Sequence, residues 1–318
     1  MAGDEAHLAR YSACRTTRVP QEILERPQPS MTAAEHRPPA SAFVAVIVAN
    51  VALAFGPWFV RMADTGPVAS AFWRITLAAP LLVAMALATG WRPHGLGRGL
   101  WLTLALAGVC FAADLGSWHI GILRTTLANA TLFGNSATLI FPIYGFIAAR
   151  ALPSRMQGIA LLLACIGAGL LMGRSYSLDP RHLAGDLFCL LAGILYAAYF
   201  ILMARARATM PPLPALALST LASIAPLLLF AILLGERIVP DHWGALIGLA
   251  LASQVLGQGM MIYALGKLSP LVVGIALLVQ PMVAATVGWI VYDERLGLAD
   301  LTGALLVAAA LVLVRRGR

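Results

Sequence analysis

The chain has 318 residues, of which 11% are charged and 60% hydrophobic, with a mean hydropathy of +0.84 and a formal net charge of +8. A soluble domain carries about 25% charged residues, so this composition excludes an ordinary soluble enzyme and places the chain in the bilayer class. The positive charge does not signal nucleic acid, because the basic residues stand singly or in pairs between apolar runs and build no patch or stripe.

Residues 1–40 differ from the rest. They hold five Arg, several acids and repeated Pro, without an apolar run of signal-peptide length. That composition predicts a disordered cytoplasmic leader. Ten apolar stretches follow, at 42–60, 67–89, 99–123, 126–149, 156–173, 185–204, 214–234, 243–264, 270–292 and 299–315. Each is near the roughly 20 residues a helix needs to cross a bilayer core. The connecting loops are mostly short, which suits antiparallel neighbours and leaves no room for a soluble domain.

Taken in chain order, these spans carry unexpected polar residues. Span 2 holds Arg74, seven residues or roughly 10 Å from its start at Pro67. Span 3 holds Asp114, nine residues or roughly 13 Å from its end at Leu123, and on the same face Trp118. Span 4 carries the row Thr131, Asn135, Thr138 and Pro142; span 8 carries Gln254 and Gln258; span 9 carries Gln280 and Pro281. Charges at a helix centre cost about 2.5–3.5 kcal/mol on insertion scales, so these groups are expected to pair or to line a wet cavity. Arg74 and Asp114 allow both readings: a buried ion pair locking span 2 to span 3, or two charges facing one chamber. The amides allow interhelical hydrogen bonding or cavity lining. Asp114, the carboxylate deep in the first half, is the candidate for proton coupling, whereas Asp186 lies at the mouth of span 6 and suits a helix cap.

Other residues have plainer expectations. His119 is read as a packed or hydrogen-bonded histidine, since alone it makes no metal site. Trp73, Trp118, Tyr196, Tyr199 and Tyr263 are candidate aromatic walls or core fillers, and Trp58, Trp91, Trp101 and Trp243 lie at span ends, as interface-belt residues do. Pro142 and Pro281, inside apolar spans, are candidate hinges. Gly244-xxx-Gly248 and Gly169-xxx-Gly173 suit close helix contacts. Cys14, Cys110, Cys165 and Cys189 have neither metal-ligand nor redox spacing. No metal or cofactor motif is present, and no phosphate loop that would power transport with ATP.

Basic residues set the orientation. With the N-terminus inside, the inner loops and tail hold ten Lys or Arg and the outer loops six, which predicts cytoplasmic termini in a multi-pass protein of the cell's inner or plasma membrane. The chain also repeats. LANATLFGNSATLIFPIYGFIAARALPSRMQGIALLL resembles LVVGIALLVQPMVAATVGWIVYDERLGLADLTGALLV about 143 residues later, and ADLGSWHIGIL lies over SQVLGQGMMIY at a spacing of 140. The second pairing sets Asp114 over Gln254 and Trp118 over Gln258. Two halves follow, 41–174 and 182–318, with five spans each. Five is odd, so the halves enter the membrane in opposite senses, an arrangement found in transporters with a site near the midplane.

Four stretches, FWRITLA, ADLGSWHIGILRTTLANATL, GDLFCLLAGILYAAYFILMARAR and VQPMVAATVGWIVYDERLGLADLTGALLV, resemble the EamA family of the drug/metabolite transporter superfamily. The resemblance spans about residues 42–315 and is sharpest at Pro281, Glu294 and Gly303. The first half departs from it: Thr138 stands where the family usually has Pro, and Arg150 or Ala151 where it has Glu. The resemblance implies an all-α membrane fold of ten helices in two inverted five-helix repeats around a central cavity, moving small metabolites, often outward.

The combined expectation is a secondary transporter, not an enzyme. It would bind a small amino acid-like or other amphipathic solute at Arg74, Asp114, Trp118, Asn135, Tyr199, Gln254, Gln258 and Gln280. Protons are the candidate coupling ion, the bilayer is the partner, and spans 1–5 would rock against spans 6–10. The alternatives are an intramembrane enzyme and a helical sensor or assembly subunit. The first would need paired acids or a metal constellation at one depth; the chain offers one deep Asp and one deep His on different faces.

Overall fold

The computed structural model describes residues 39–125, 130, 133–173, 180–283, 286 and 297–316. The expected leader up to residue 38, Thr131 and Glu294 lie outside the described residues. What is described is helical, with no strand among the described residues. In chain order the elements are α1 (Ala40–Ala54), α2 (Gly56–Met62), α3 (Pro67–Ala88), α4 (Arg98–Ile122), α5 (Ala137–Ala149) and α6 (Arg155–Gly173). There follow α7 (Leu183–Arg207), α8 (Pro212–Leu233), α9 (Gly244–Leu249), a π-helix (Ala250–Gln258), α10 (Gly259–Leu265), α11 (Pro270–Leu277) and α12 (Leu298–Arg316).

Among the described residues, six stretches are long and apolar enough to cross a membrane: Ala40–Met62, Pro67–Ala88, Arg98–Ile122, Pro180–Arg207, Pro212–Leu233 and Gly244–Leu265. They coincide with expected spans 1, 2, 3, 6, 7 and 8. Spans 4, 5, 9 and 10 coincide with the shorter apolar helices Ala137–Ala149, Arg155–Leu170, Pro270–Val283 and Leu301–Val314. Proline sets several helix starts: Pro67, Pro212 and Pro270 stand in the first turn, where their missing N–H costs nothing.

The two halves of the sequence interlock. α4 packs along α7 and α8, α3 along α8, α5 along α11, α6 along α12, and α1 along the π-helix and α10. Each helix of the first half finds its main partner in the second. The expected rocking of spans 1–5 against spans 6–10 therefore has no clean seam to run along, because lipid gives helices no reason to segregate by chain order when shape complementarity lies elsewhere.

Small residues make these contacts. A Cβ on Gly274 of α11 would lie 2.5 Å from Pro142 Cγ, and one on Gly145 would lie 2.8 Å from Pro270 Cβ. Gly108 of α4 meets Ala222, and Gly121 meets Cys189. The expected glycine pairs are realised only in part. Gly248 meets Phe59, but Gly244 and Gly169 face open space, and the close approach of α6 to α12 falls at Gly167, against Gly303 and Val307. Pro142 is thus wedged into the groove that Gly274 leaves.

Two irregular backbone segments face each other. The first span breaks at Phe55, between α1 and α2, where Pro57 cannot donate to the helix ladder. The π-helix lies opposite: a Cβ on Gly257 would touch Leu53, and one on Gly56 would stand 3.4 Å from Ser253 Oγ. Within a membrane, irregular backbone is tolerated where it is buried in protein or borders a cavity.

Candidate functional site

That irregular region borders a cavity. It holds about 120 Å³, counted as the space that the centre of a water molecule can reach. Such a volume admits on the order of ten waters or one small solute. Its walls come from both halves: Leu53, Ala54, Gly56 and Pro57 at the break, Arg74 on α3, Phe111, Asp114, Leu115 and Trp118 on α4, and Gly134, Asn135 and Ala137 near the start of α5. The second half contributes Tyr196 on α7, Gln258 at the end of the π-helix, and Leu277 and Gln280 beyond it. The wall is therefore apolar and aromatic with a few polar groups, the usual make-up of a small-molecule site.

Six of the residues singled out from the sequence meet there: Arg74, Asp114, Trp118, Asn135, Gln258 and Gln280. Gln254 and Tyr199 stand behind the wall. Tyr199 is fully buried and stacks on Phe111 at 4.5 Å between ring centroids. Gln254, also fully buried, accepts from Arg74 Nε at 3.2 Å and donates through Nε2 to Thr220 Oγ1 at 3.1 Å. Pro142 lies away from the cavity in the α5–α11 crossing, and Pro281 follows the cavity residue Gln280 directly.

The two charges do not pair. Arg74 is 5% exposed and Asp114 8%, and no salt bridge within 4.0 Å joins them among the described residues. The ion-pair alternative is not realised. Instead Nε of Arg74 is engaged by Gln254, and the guanidinium lies 5.8 Å from the Phe111 ring centroid. The outer nitrogens have no protein acceptor among the described residues, and Arg74 lines the void. Asp114 likewise lines the void, and its carboxyl group has no protein donor among the described residues. One guanidinium and one carboxyl group thus share a chamber, each with hydrogen-bonding capacity unspent.

The amides around them are directional. Gln280 donates through Nε2 to Asn50 Oδ1 at 2.9 Å, and Asn50 donates in turn to the Val46 carbonyl at 2.7 Å. That chain leaves the Gln280 carbonyl oxygen as the group not spent on Asn50. Tyr196 donates to Gln258 Oε1 at 3.4 Å, and Gln258 Nε2 is buried without a partner. Trp118 rests over Gly134: a Cβ there would stand 3.0 Å from its Nε1. Asn50, Phe111 and Tyr196 complete the site. Asn50 is the only Asn in span 1, and that singular polarity is the signal that marks it.

Other residues serve the frame. His119 donates from Nδ1 to the Pro67 carbonyl at 2.5 Å, which fixes its tautomer and ties α4 to the start of α3. Trp73 is no cavity wall: its Nε1 donates to the Ile238 carbonyl at 2.6 Å and its ring meets Trp243 edge-on. It belongs to a clasp between residues 63–73 and 236–243. There Glu236 accepts from the Ala69 N–H at 2.8 Å, and Asp64 accepts from the N–H groups of Asp241 at 2.9 Å and His242 at 3.0 Å. Tyr263 is likewise no wall; it accepts from Lys267 at 2.8 Å and meets Ser41 at 3.1 Å. Asp186 accepts from Thr125 at 2.6 Å, linking the end of α4 to α7. Among the described residues, no group of three His, Cys, Asp or Glu is placed to hold a metal ion.

Comparison with known proteins places this architecture. The second half of the chain matches the EamA-like transporter family. The match covers residues 183–316. An uncharacterized transporter of Archaeoglobus fulgidus is 25% identical over 147 residues, which is 45% of this chain and 50% of that protein. The chain therefore spans about half the length of the curated relative it matches. A solved crystal structure superposes with a TM-score of 0.72 at 14% identity, covering 86% of this chain and 96% of that one, which shows the fold. The chain is a multi-pass integral membrane protein, and the chamber is lined both by the half that matches this family and by the half before it.

Proposed function

We propose that the chain is a secondary transporter that carries a small solute bearing both a positive and a negative group, amino acid-like in its charges, by alternating access. The observation that carries this reading is that Arg74 and Asp114 face one void and leave each other unpaired. Buried charges without partners are costly, and a dipolar solute satisfies both at once: its carboxylate meets the Arg74 fork and its ammonium meets Asp114. Phe111, Tyr196, Trp118 and Leu277 cover its less polar part. Ten spans in two counter-oriented sets of five, with both termini inside, fit the sequence repeat and the family. Export is the direction that the family resemblance favours. Asp114 is the group placed to take up a proton when the solute leaves. Opening and closing would draw on the break at Phe55, the π-helix and Pro281, because the interlocked halves do not offer two separate bodies.

Purified protein in liposomes, offered radiolabelled amino acids with and without a pH gradient, tests the reading. Saturable uptake is expected. Arg74→Ala should weaken it more than about thirtyfold, the low end of the cost of stripping one partner from a buried charged contact. Asp114→Asn should remove the response to the pH gradient. Uptake that ignores both substitutions would falsify the assignment of the chamber.

A further inference from the structure

Gln254 is not on the cavity wall, yet it makes the one side-chain hydrogen bond that Arg74 has among the described residues. Its amide is fixed from both ends. Oε1 accepts from Arg74 Nε, and Nε2 donates to Thr220 Oγ1, so the two bonds together assign which amide atom is which. The residue sits in the π-helix, whose wide turns let Gln254 reach behind the wall to α3 and α8 while Gln258, four residues on, faces the void. With Nε occupied and Arg74 on the cavity wall, the two outer guanidinium nitrogens are left as the edge that can meet a carboxylate with two parallel bonds.

The charge of the residue matters as much as its geometry. A glutamate differs from glutamine by one atom and would fill the same space. It would, however, take Arg74 into a closed ion pair and leave Asp114 as the chamber's unpaired charge. The repeat makes the contrast concrete: the sequence sets Asp114 of the first half over Gln254 of the second. One half supplies an acid at this position and the other a neutral amide.

We propose that Gln254 is the residue that sets the charge selectivity of the chamber, holding Arg74 in place while leaving it a free cation. It is a positioning residue: it acts through Arg74 and touches no solute. Thr220 allows the exchange to a glutamate without strain, since its hydroxyl accepts from an amide nitrogen and donates to a carboxylate oxygen by turning about its C–O bond.

The test uses full-length protein in nanodiscs and the variants Gln254→Glu and Gln254→Met. Its first arm needs no solute. Butanedione modifies guanidinium groups whose outer nitrogens are unengaged, and peptide mass spectrometry reads the rate at Arg74. Wild type and Gln254→Met should react at similar rates, and Gln254→Glu more than about tenfold slower, because a carboxylate engages the guanidinium with charge-assisted bonds. The second arm rests on the transport reading. It measures binding of L-leucine, L-leucinamide and N-acetyl-L-leucine, three probes of one skeleton with both charges, the cation alone and the anion alone. Wild type should prefer leucine; Gln254→Glu should lose leucine by about tenfold or more and favour leucinamide. An unchanged order of preference in folded Gln254→Glu, or an unchanged rate at Arg74, overturns the proposal. Failure of wild type to bind any of the three overturns the dipolar-solute reading instead, and the modification arm still decides what Gln254 does to Arg74.

Discussion

The crossing of α5 and α11 and the chamber beside it join the same two halves by opposite means. At the crossing, Gly274 and Gly145 let backbone and proline rings meet closely. In the chamber, Arg74, Asp114, Gln258 and Gln280 keep the helices apart around a void. Helices in lipid gain little from burying apolar surface against each other, so dry contacts depend on close shape fit, and polar contacts depend on having a partner or water. The two regions should therefore differ in their tolerance to substitution. A dry crossing has no slack, while a chamber wall has room on one side.

Three substitutions or conditions probe that contrast, in falling order of effect. Gly274→Ala sets a methyl 2.5 Å from Pro142 Cγ and 2.8 Å from the Thr138 carbonyl, neither of which can swing aside. The overpacking should cost about 1–3 kcal/mol, read as a lower melting temperature of the detergent-solubilised protein. An unaltered melting temperature would mean that the crossing is looser than described. Gln258→Leu should change stability by less than about 1 kcal/mol, since it removes a long bond from Tyr196 but also an amide nitrogen that is buried without a partner. Its effect belongs in solute preference; a melting shift as large as that of Gly274→Ala would erase the distinction between crossing and chamber.

The smallest effect belongs to the clasp, which is neither dry nor enclosed. Partial burial pushes the Asp64 carboxyl up, but the N–H of Asp241, the His242 ring and the His242 N–H together pull it down further, so it lies below the ordinary carboxylate value. A depressed carboxylate contributes stability that is present above the unfolded value of about 3.9 and is lost as pH falls below it. Acid should therefore loosen residues 63–66 from residues 236–243, seen as faster amide exchange at Asp241 and His242, while the crossing at Gly274 stays protected. Asp64→Asn should abolish that pH dependence. Equal acid sensitivity in both regions would show that the clasp is not a separate contact.

Much of this was legible in the residues. The low charge and the apolar runs located the six long helices within a few residues, since a bilayer imposes length and polarity on any helix that crosses it. Helical rise put Arg74 and Asp114 at similar depth, and the structure brings both to one void. Depth, however, carries no information about rotation around a helix axis. Gln254 and Gln258 share a face on α-helical spacing, yet the π-helix separates them, one behind the wall and one on it. Trp73 and Trp118 looked alike as aromatic walls, yet one clasps the Ile238 carbonyl and the other borders the cavity.

Sequence alone determined that the chain must enter a membrane, roughly where it does so, and which polar groups cannot face lipid, because the cost of a charge in hydrocarbon depends on composition and depth. Tertiary structure decided which of those groups see each other: that Arg74 leans on Gln254 and leaves Asp114 unpaired, that Asn50 turns Gln280, and that each half packs mainly on the other. Those outcomes depend on helix rotation, on one π-helical segment and on close glycine contacts, all of which are settled by the fit between distant helices and leave no local trace in the chain.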